Sequence, residues 1–255
     1  MATVKQISGE LDAMIPRSLS CDWDNDGLLV CPKGSKRVRR VLLALDATKS
    51  VCEEAKDFDL LITHHPIIFH KIGEISDQKQ HTKKIIDLIY SHTAVMSFHS
   101  RFDACDGGIN DILAEKLGIS DVKKFAPEGE IPIGRIGNVA PTDAKSLCEK
   151  VKSALGSPFV LCADAGKTIS RLAVCSGEGD DFIYAALAQG ADAIVTGRDD
   201  YNKSIDARDD GITVIEVGHY YSEAIFAEYF EKFFAENHPE IEVVRSKIGC
   251  EIKAF

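Results

Sequence analysis

Leu60-Leu61-Ile62-Thr63-His64-His65-Pro66 is the stretch on which the fold reading turns. An apolar, partly β-branched run has the character of a buried strand. It ends in two imidazoles and a proline that cannot continue a ladder. In α/β proteins chemistry gathers where strands give way to loops or helices, so a His pair at such an edge points to a site. Adjacent strand residues point to opposite sides, and the pair can therefore offer imidazoles to two centres instead of chelating one.

Outward from this stretch, strand and helix patterns alternate. Upstream, residues 4–15 carry Val4, Ile7, Leu11 and Met14-Ile15 on one helical face, 38–46 read as a strand and 49–56 as a helix. Downstream come a helix over 78–90, a strand over 94–98 and a helix over 108–117. Past a boundary near 124–129 the alternation restarts, with strands near 134–139, 159–162, 169–175 and 193–196 and helices over 142–155 and 181–188. A strand over 213–217 leads to His219 and one long helix, and a strand near 241–245 follows. Such alternation is the signature of βαβ units. The expected fold class is α/β, two α/β lobes with mixed sheets, the C-terminal helix returning to the first lobe. The lobes are expected as 1–127 plus 219–255, which would bind metal, and 128–218.

With 255 residues, 45% hydrophobic, the chain can bury a sizeable core. Forty acidic against 30 basic residues give a formal charge of -10, which argues against nucleic acid or anionic membrane as a partner through the general field. Lys33, Lys36, Arg37, Arg39 and Arg40 read as a solvated turn before a strand. No apolar stretch has the length of a membrane span and no leader pattern opens the chain, so a cytoplasmic location is expected. The eight cysteines are scattered without a C-x-x-C pair and read as free thiols. Cys105 alone lies near the candidate site, where it would need a lowered pKa to take part.

Two further segments complete the candidate site, His99-Ser100-Arg101-Phe102-Asp103 and Gly218-His219-Tyr220-Tyr221-Ser222-Glu223. His219 and Glu223, four apart at a helix start, share a face and can bind one ion or bracket two. The same spacing suits a solvated first turn, and Asp103 taken singly suits a helix cap. Together, three His and two carboxylates form a nitrogen and oxygen set suited to zinc, iron(II) or manganese(II) and poor for calcium. A carboxylate can bridge ions about 3.5 to 4 Å apart and make water between them acidic, so hydrolysis is the natural reaction class. His99 reads as a catalytic acid or base, a donor behind the ligands, or a buried strand-end residue. Arg101 could face an anionic substrate or be a surface guanidinium. Ser176-Gly177-Glu178-Gly179 could cradle phosphate, but its carboxylates repel anions and a tight turn is the better reading.

The chain resembles the NGG-interacting-factor-three-like family of dinuclear-metal proteins, also known as GTP cyclohydrolase 1 type 2 homologues. The resemblance rests on Cys21-Asp22-Trp23-Asp24-Asn25-Asp26-Gly27-Leu28, Leu42-Leu43-Ala44-Leu45-Asp46, Thr63-His64-His65-Pro66, His99-Ser100-Arg101-Phe102-Asp103-Ala104, Gly134-Arg135-Ile136-Gly137, Ala191-Asp192-Ala193-Ile194-Val195-Thr196-Gly197 and the segment from Gly218 to Glu223. It implies that His64, His65, Asp103, His219 and Glu223 hold two divalent metal ions per subunit and that six subunits form a hollow ring. Two departures stand out. Thr196-Gly197-Arg198 and then Asn202 replace the usual Thr-Gly-acidic and His, and His99-Ser100-Arg101 stands where His-Thr-Asn is typical. Neither removes a ligand. The expected function is a hydrolase acting on a nucleotide-like or phosphorylated small molecule, with GTP supplied by the family name alone. The rival is a metal-dependent hexameric binding or scaffold protein without turnover.

Overall fold

The computed structural model describes residues 1–127 and 129–253. Glu128, where the second lobe is expected to begin, and Ala254 and Phe255 lie outside the described residues. The chain forms two compact units, Met1–Phe102 with Phe226–Ile252, and Asp103–Ile225.

Helix α1 (Val4–Met14) precedes strands β1 (Gly27–Val30) and β2 (Arg40–Ala44); α2 (Lys49–Ala55) leads to β3 (Leu60–Thr63), and α3 (Gln80–Tyr90) to β4 (Ala94–Ser97). Short α4 (Ser100–Ala104) and α5 (Ile109–Lys116) lead into β5 (Ser120–Phe125) and β6 (Gly134–Thr142). Then follow α6 (Ala144–Leu155), β7 (Leu161–Ala163), β8 (Ile169–Glu178), α7 (Ile183–Ala188), β9 (Ala193–Arg198), α8 (Tyr201–Asp209), β10 (Thr213–Glu216) and α9 (His219–Glu223). Helix α10 (Phe226–Asn237) and β11 (Glu242–Arg245) return to the first unit.

The first unit holds a sheet in the order β1-β4-β3-β2-β11, parallel except where β1 runs against β4. Strand β3, buried at every position, is its middle strand. Leu42, Leu61, Leu88 and Val95 pack with Val51 and Phe58 into its core. The second unit holds the sheet β5-β6-β8-β9-β10-β7, with β8, β9 and β10 parallel and antiparallel strands outside them. Its core centres on Ile136, Ala173, Ile194, Ile212 and Val214. Both sheets are mixed, and the α/β class read from the sequence is the observed one.

Helix α10 returns because its apolar face belongs to the first unit. Phe226, Phe230, Phe233 and Phe234 are buried on it, and the Phe230 ring lies 5.3 Å from Phe98 and 5.4 Å from Phe102. Burying each such ring stabilises by about 1.5 to 3 kcal/mol, enough to fix where a helix docks.

Four expectations are corrected. The long terminal helix is two helices, α9 closing at Ala224 and α10 opening at Phe226. Residues 103–127 and 219–225, expected in the first lobe, lie in the second unit, because β5 pairs with β6 and α9 packs against β8 and β9. Strands β1 and β5 and helix α8 form where no element was expected. Met14 is 50% exposed, whereas Ile15 beyond it is buried. Ile15 is the cap residue past the last helical turn, with φ -121° and ψ 81°, and its side chain leaves the helical path and is buried.

Candidate metal centre

Register explains why histidines far apart in sequence meet. Strands β3 and β4 are parallel neighbours with Thr63 opposite Ser97, so the residues just past each, His64-His65 and Phe98-His99, leave the sheet side by side. The Thr63 and Ser97 hydroxyls share a hydrogen bond of 2.8 Å, and Phe98 N–H donates to the Thr63 carbonyl at 3.0 Å. Candidate ligand atoms of His64, His65 and His99 lie within 4.8 Å of one another. The ring centroids are 5.1 Å apart for His64 and His65, 5.1 Å for His64 and His99, and 5.5 Å for His65 and His99.

Each ring is oriented from behind. His64 Nδ1 is 2.8 Å from the Phe98 carbonyl oxygen, which can only accept, so Nδ1 carries the proton and Nε2 keeps its lone pair. His65 Nδ1 lies 2.7 Å from Asp46 Oδ1, and the His65 backbone N–H donates to the Leu45 carbonyl, both partners lying just past the end of the parallel neighbour β2. His99 Nδ1 lies 3.0 Å from Asp24 Oδ1. The other Asp24 oxygen accepts from the Ser100 amide at 2.9 Å and hydroxyl at 2.6 Å. Burial pushes the Asp24 carboxyl up, but the hydrogen bonds from His99 and Ser100 and the charge of His99 outweigh it and hold its pKa at about 2. Imidazoles backed by carboxylates and carbonyls are the arrangement that presents nitrogen lone pairs to a metal ion.

The second unit holds the remaining candidates. His219 opens α9 directly after β10 and Gly218, whose φ is 92°, and its Nε2 lies 3.0 Å from Glu223 Oε2 one turn later. Glu223 is buried. Helix α9 lies against two glycine turns. A Cβ at Gly177 would overlap Glu223 Oε1, and one at Gly197 would overlap the Ser222 hydroxyl and the Gly177 carbonyl. The Ser222 hydroxyl accepts from the Gly177 amide at 3.0 Å. The glycines of Ser176-Gly177-Glu178-Gly179 and Thr196-Gly197 therefore serve close approach of this helix. Buried Asp103 has Oδ1 3.4 Å from the Ser176 hydroxyl, and its carbonyl accepts from Asn110 Nδ2 at 3.3 Å.

Of the residues singled out in the sequence, His64 and His65 stand together in the first unit and His219 and Glu223 together in the second, where Asp103 also lies. His99 proves to be a full member of the first cluster. Cys105 is buried and its thiol is pushed up to about 12, chiefly by that burial, not lowered as a reactive thiol's would be. Arg101 is buried and faces no solvent. Asp24 and Asp46, which the sequence does not mark as functional, each orient a ring, and the signal for them is a carboxylate in the turn or strand end beside the histidine strands.

Two α/β units, each gathering imidazole or carboxylate side chains at the carboxyl ends of parallel strands, define a protein with the donor groups of a metal-binding site. The Duf34/NIF3 (NGG1p interacting factor 3) family profile matches residues 2–250, and the chain belongs to that family. It is 32% identical over 245 residues to a GTP cyclohydrolase 1 type 2 homolog of Clostridium perfringens, with 93% of each chain covered. It is 34% identical over 228 residues to another of that name from Clostridium acetobutylicum, covering 86% of this chain and 85% of that one. Among solved structures it is similar to a Bacillus cereus protein related to NIF3, with a TM-score of 0.88 at 21% identity covering 100% and 99% of the two chains. Reduced HcgD from Methanocaldococcus jannaschii gives 0.84 at 26% identity over 97% and 98%.

Proposed function

We propose that this chain is a dinuclear-metal hydrolase whose ions are held by His64, His65, Asp103, His219 and Glu223. Its substrate is a nucleotide-like or phosphorylated small molecule. The observation that carries the reading is the cluster of His64, His65 and His99, whose ligand atoms lie within 4.8 Å of one another. A divalent pair supplies Lewis acidity and water acidified toward neutral pH. The chain's own residues do the rest. The Phe98 carbonyl and Asp46 engage Nδ1 of His64 and of His65, which leaves Nε2 as the ring nitrogen each would offer a metal ion. Asp24 holds His99 through Nδ1, leaving the other ring nitrogen to take up or deliver a proton. Ser176 orients Asp103.

The names of the relatives support a guanine nucleotide as substrate. The family resemblance supports a ring of six subunits. Among the described residues no helix is long and apolar enough to cross a membrane. Zinc, iron(II) and manganese(II) all suit the ligand set.

Elemental analysis of protein purified without chelator tests the reading. It should return about two equivalents of metal per chain, falling in Glu223→Ala. The loaded protein should turn over nucleotides or phosphoesters faster than a His64→Ala, His65→Ala double variant. Wild-type protein that folds without metal and takes none up would overturn the proposal. Full metal loading with no turnover would leave a metal-organised binding protein.

A further inference from the structure

Trp23 is the chain's single tryptophan, and it stands 59% exposed beside the histidine cluster. Its ring centroid lies 5.7 Å from His99 at an interplanar angle of 72° and 6.0 Å from Phe69 at 62°. Phe69, itself 41% exposed, lies 6.1 Å from His99 at 83°. Three mutually steep rings thus make a corner with His99 as the inner wall and two exposed aromatics as the outer ones. Large aromatics are normally withdrawn from water, and a pair left out beside candidate ligands marks a place where something apolar is received.

The corner is built, not loose. Asp24 N–H donates to the Cys21 carbonyl at 2.9 Å, closing a turn around Trp23. The next carboxylate is pinned by Ser100 and His99, and Asn25 N–H donates to Asp24 Oδ1 at 2.8 Å. Asn25 Nδ2 then donates to the Ile68 carbonyl at 2.5 Å, tying the turn to the residue before Phe69. Aromatics held this way lose little freedom when a ligand settles on them. Offset or edge-to-face contact with rings favours a flat π-system over an aliphatic chain.

We propose that Trp23 and Phe69 form a ring-binding subsite that takes the planar heterocycle of the substrate and sets it against His99. The identity of the reacting substrate rests on the function proposed above; the stacking does not. The heterocycle is the informative part of the ligand, because the sugar and phosphate of a nucleotide have no π-face to offer these walls.

As the chain's single tryptophan, Trp23 makes fluorescence a local probe. The full-length, metal-loaded protein is titrated with guanosine, and with ribose 5-phosphate as the ligand lacking a flat ring. Guanosine should quench Trp23 saturably and ribose 5-phosphate should not. Phe69→Leu should weaken guanosine binding about tenfold, whereas Phe69→Tyr, which keeps the ring, should restore it, with metal content unchanged in both. Emission unmoved by guanosine, or equal binding in Phe69→Leu, overturns the subsite, as does a spectrum that responds only to protein concentration, since a second copy would then be the occupant. Quenching that persists in protein unable to bind metal supports the subsite while the metal reading fails. Metal binding and turnover without quenching overturn the subsite and leave that reading intact.

Discussion

Glu216, at the end of β10, shares a hydrogen bond with Asp199, so one of the two carboxyls must carry a proton. Burial, that hydrogen bond and the Asp199 charge together push Glu216 from the usual 4.5 to about 7. Because the folded-state value is raised, the folded state binds the proton more tightly than the unfolded chain. The pair's contribution is whole below about 4.5 and is lost as pH rises through about 7. The pair is partly open to water, which screens it to about 1 kcal/mol. Denaturant titrations at pH 5 and pH 8 should show Glu216→Gln reducing the wild type's loss of stability over that interval by this amount; parallel wild-type and variant profiles would refute it. Arg101 shows another buried charge handled differently. Its Nε donates to Asp26 at 3.0 Å and its Nη1 to Asp12 at 2.7 Å and the Ile15 carbonyl at 2.8 Å, with the guanidinium over the Phe98 ring. None of those partners is its neighbour in sequence, which is why Arg101 reads as a surface or substrate-facing residue until the fold is known. His64 and His65 were legible because an apolar strand announces them directly.

At the level of elements, legibility followed the strength of the periodic signal. Strand β3 and helix α10 carry apolar runs or stripes that declare their kind in the sequence. Strand β5 is exposed at every position except Phe125, and α8 buries only Ala207, so neither offers the alternation or 3.6-residue stripe on which such reading depends. The division between α9 and α10 was invisible because the apolar pattern runs on through Ile225, and only the two different packing partners separate them. The placement of α9 depends on glycine. Gly177 has φ 66°, and a side chain there would meet Glu223. Gly177→Ala combines left-handed strain of about 1 to 2 kcal/mol with displacement of α9. It should lower the denaturant midpoint accordingly and weaken metal uptake about 10- to 100-fold, as loss of a ligand's orientation does. A variant with wild-type stability and metal affinity would show that α9 can shift without consequence.

For the whole molecule, the formal charge of -10 and two separately cored units set what metal binding can do. An acidic chain gains from any bound cation, and binding to the native state alone stabilises by about 4 kcal/mol at a thousand times the dissociation constant. With two cores a single unfolding free energy is not assured, so a local readout is the better measure. The proposed ligands lie far apart in sequence, His64 and His65 just beyond β3 and His219 and Glu223 on α9. Amide hydrogen exchange with zinc and with chelator should therefore show added protection both at 64–65, beyond β3, and across 219–223. The His64→Ala, His65→Ala double variant should lose the effect at both places, since the proposed ligand set is then two imidazoles short. Protection at only one of these segments would remove the other's residues from the proposed ligand set, and the dinuclear hydrolytic reading would fall with it.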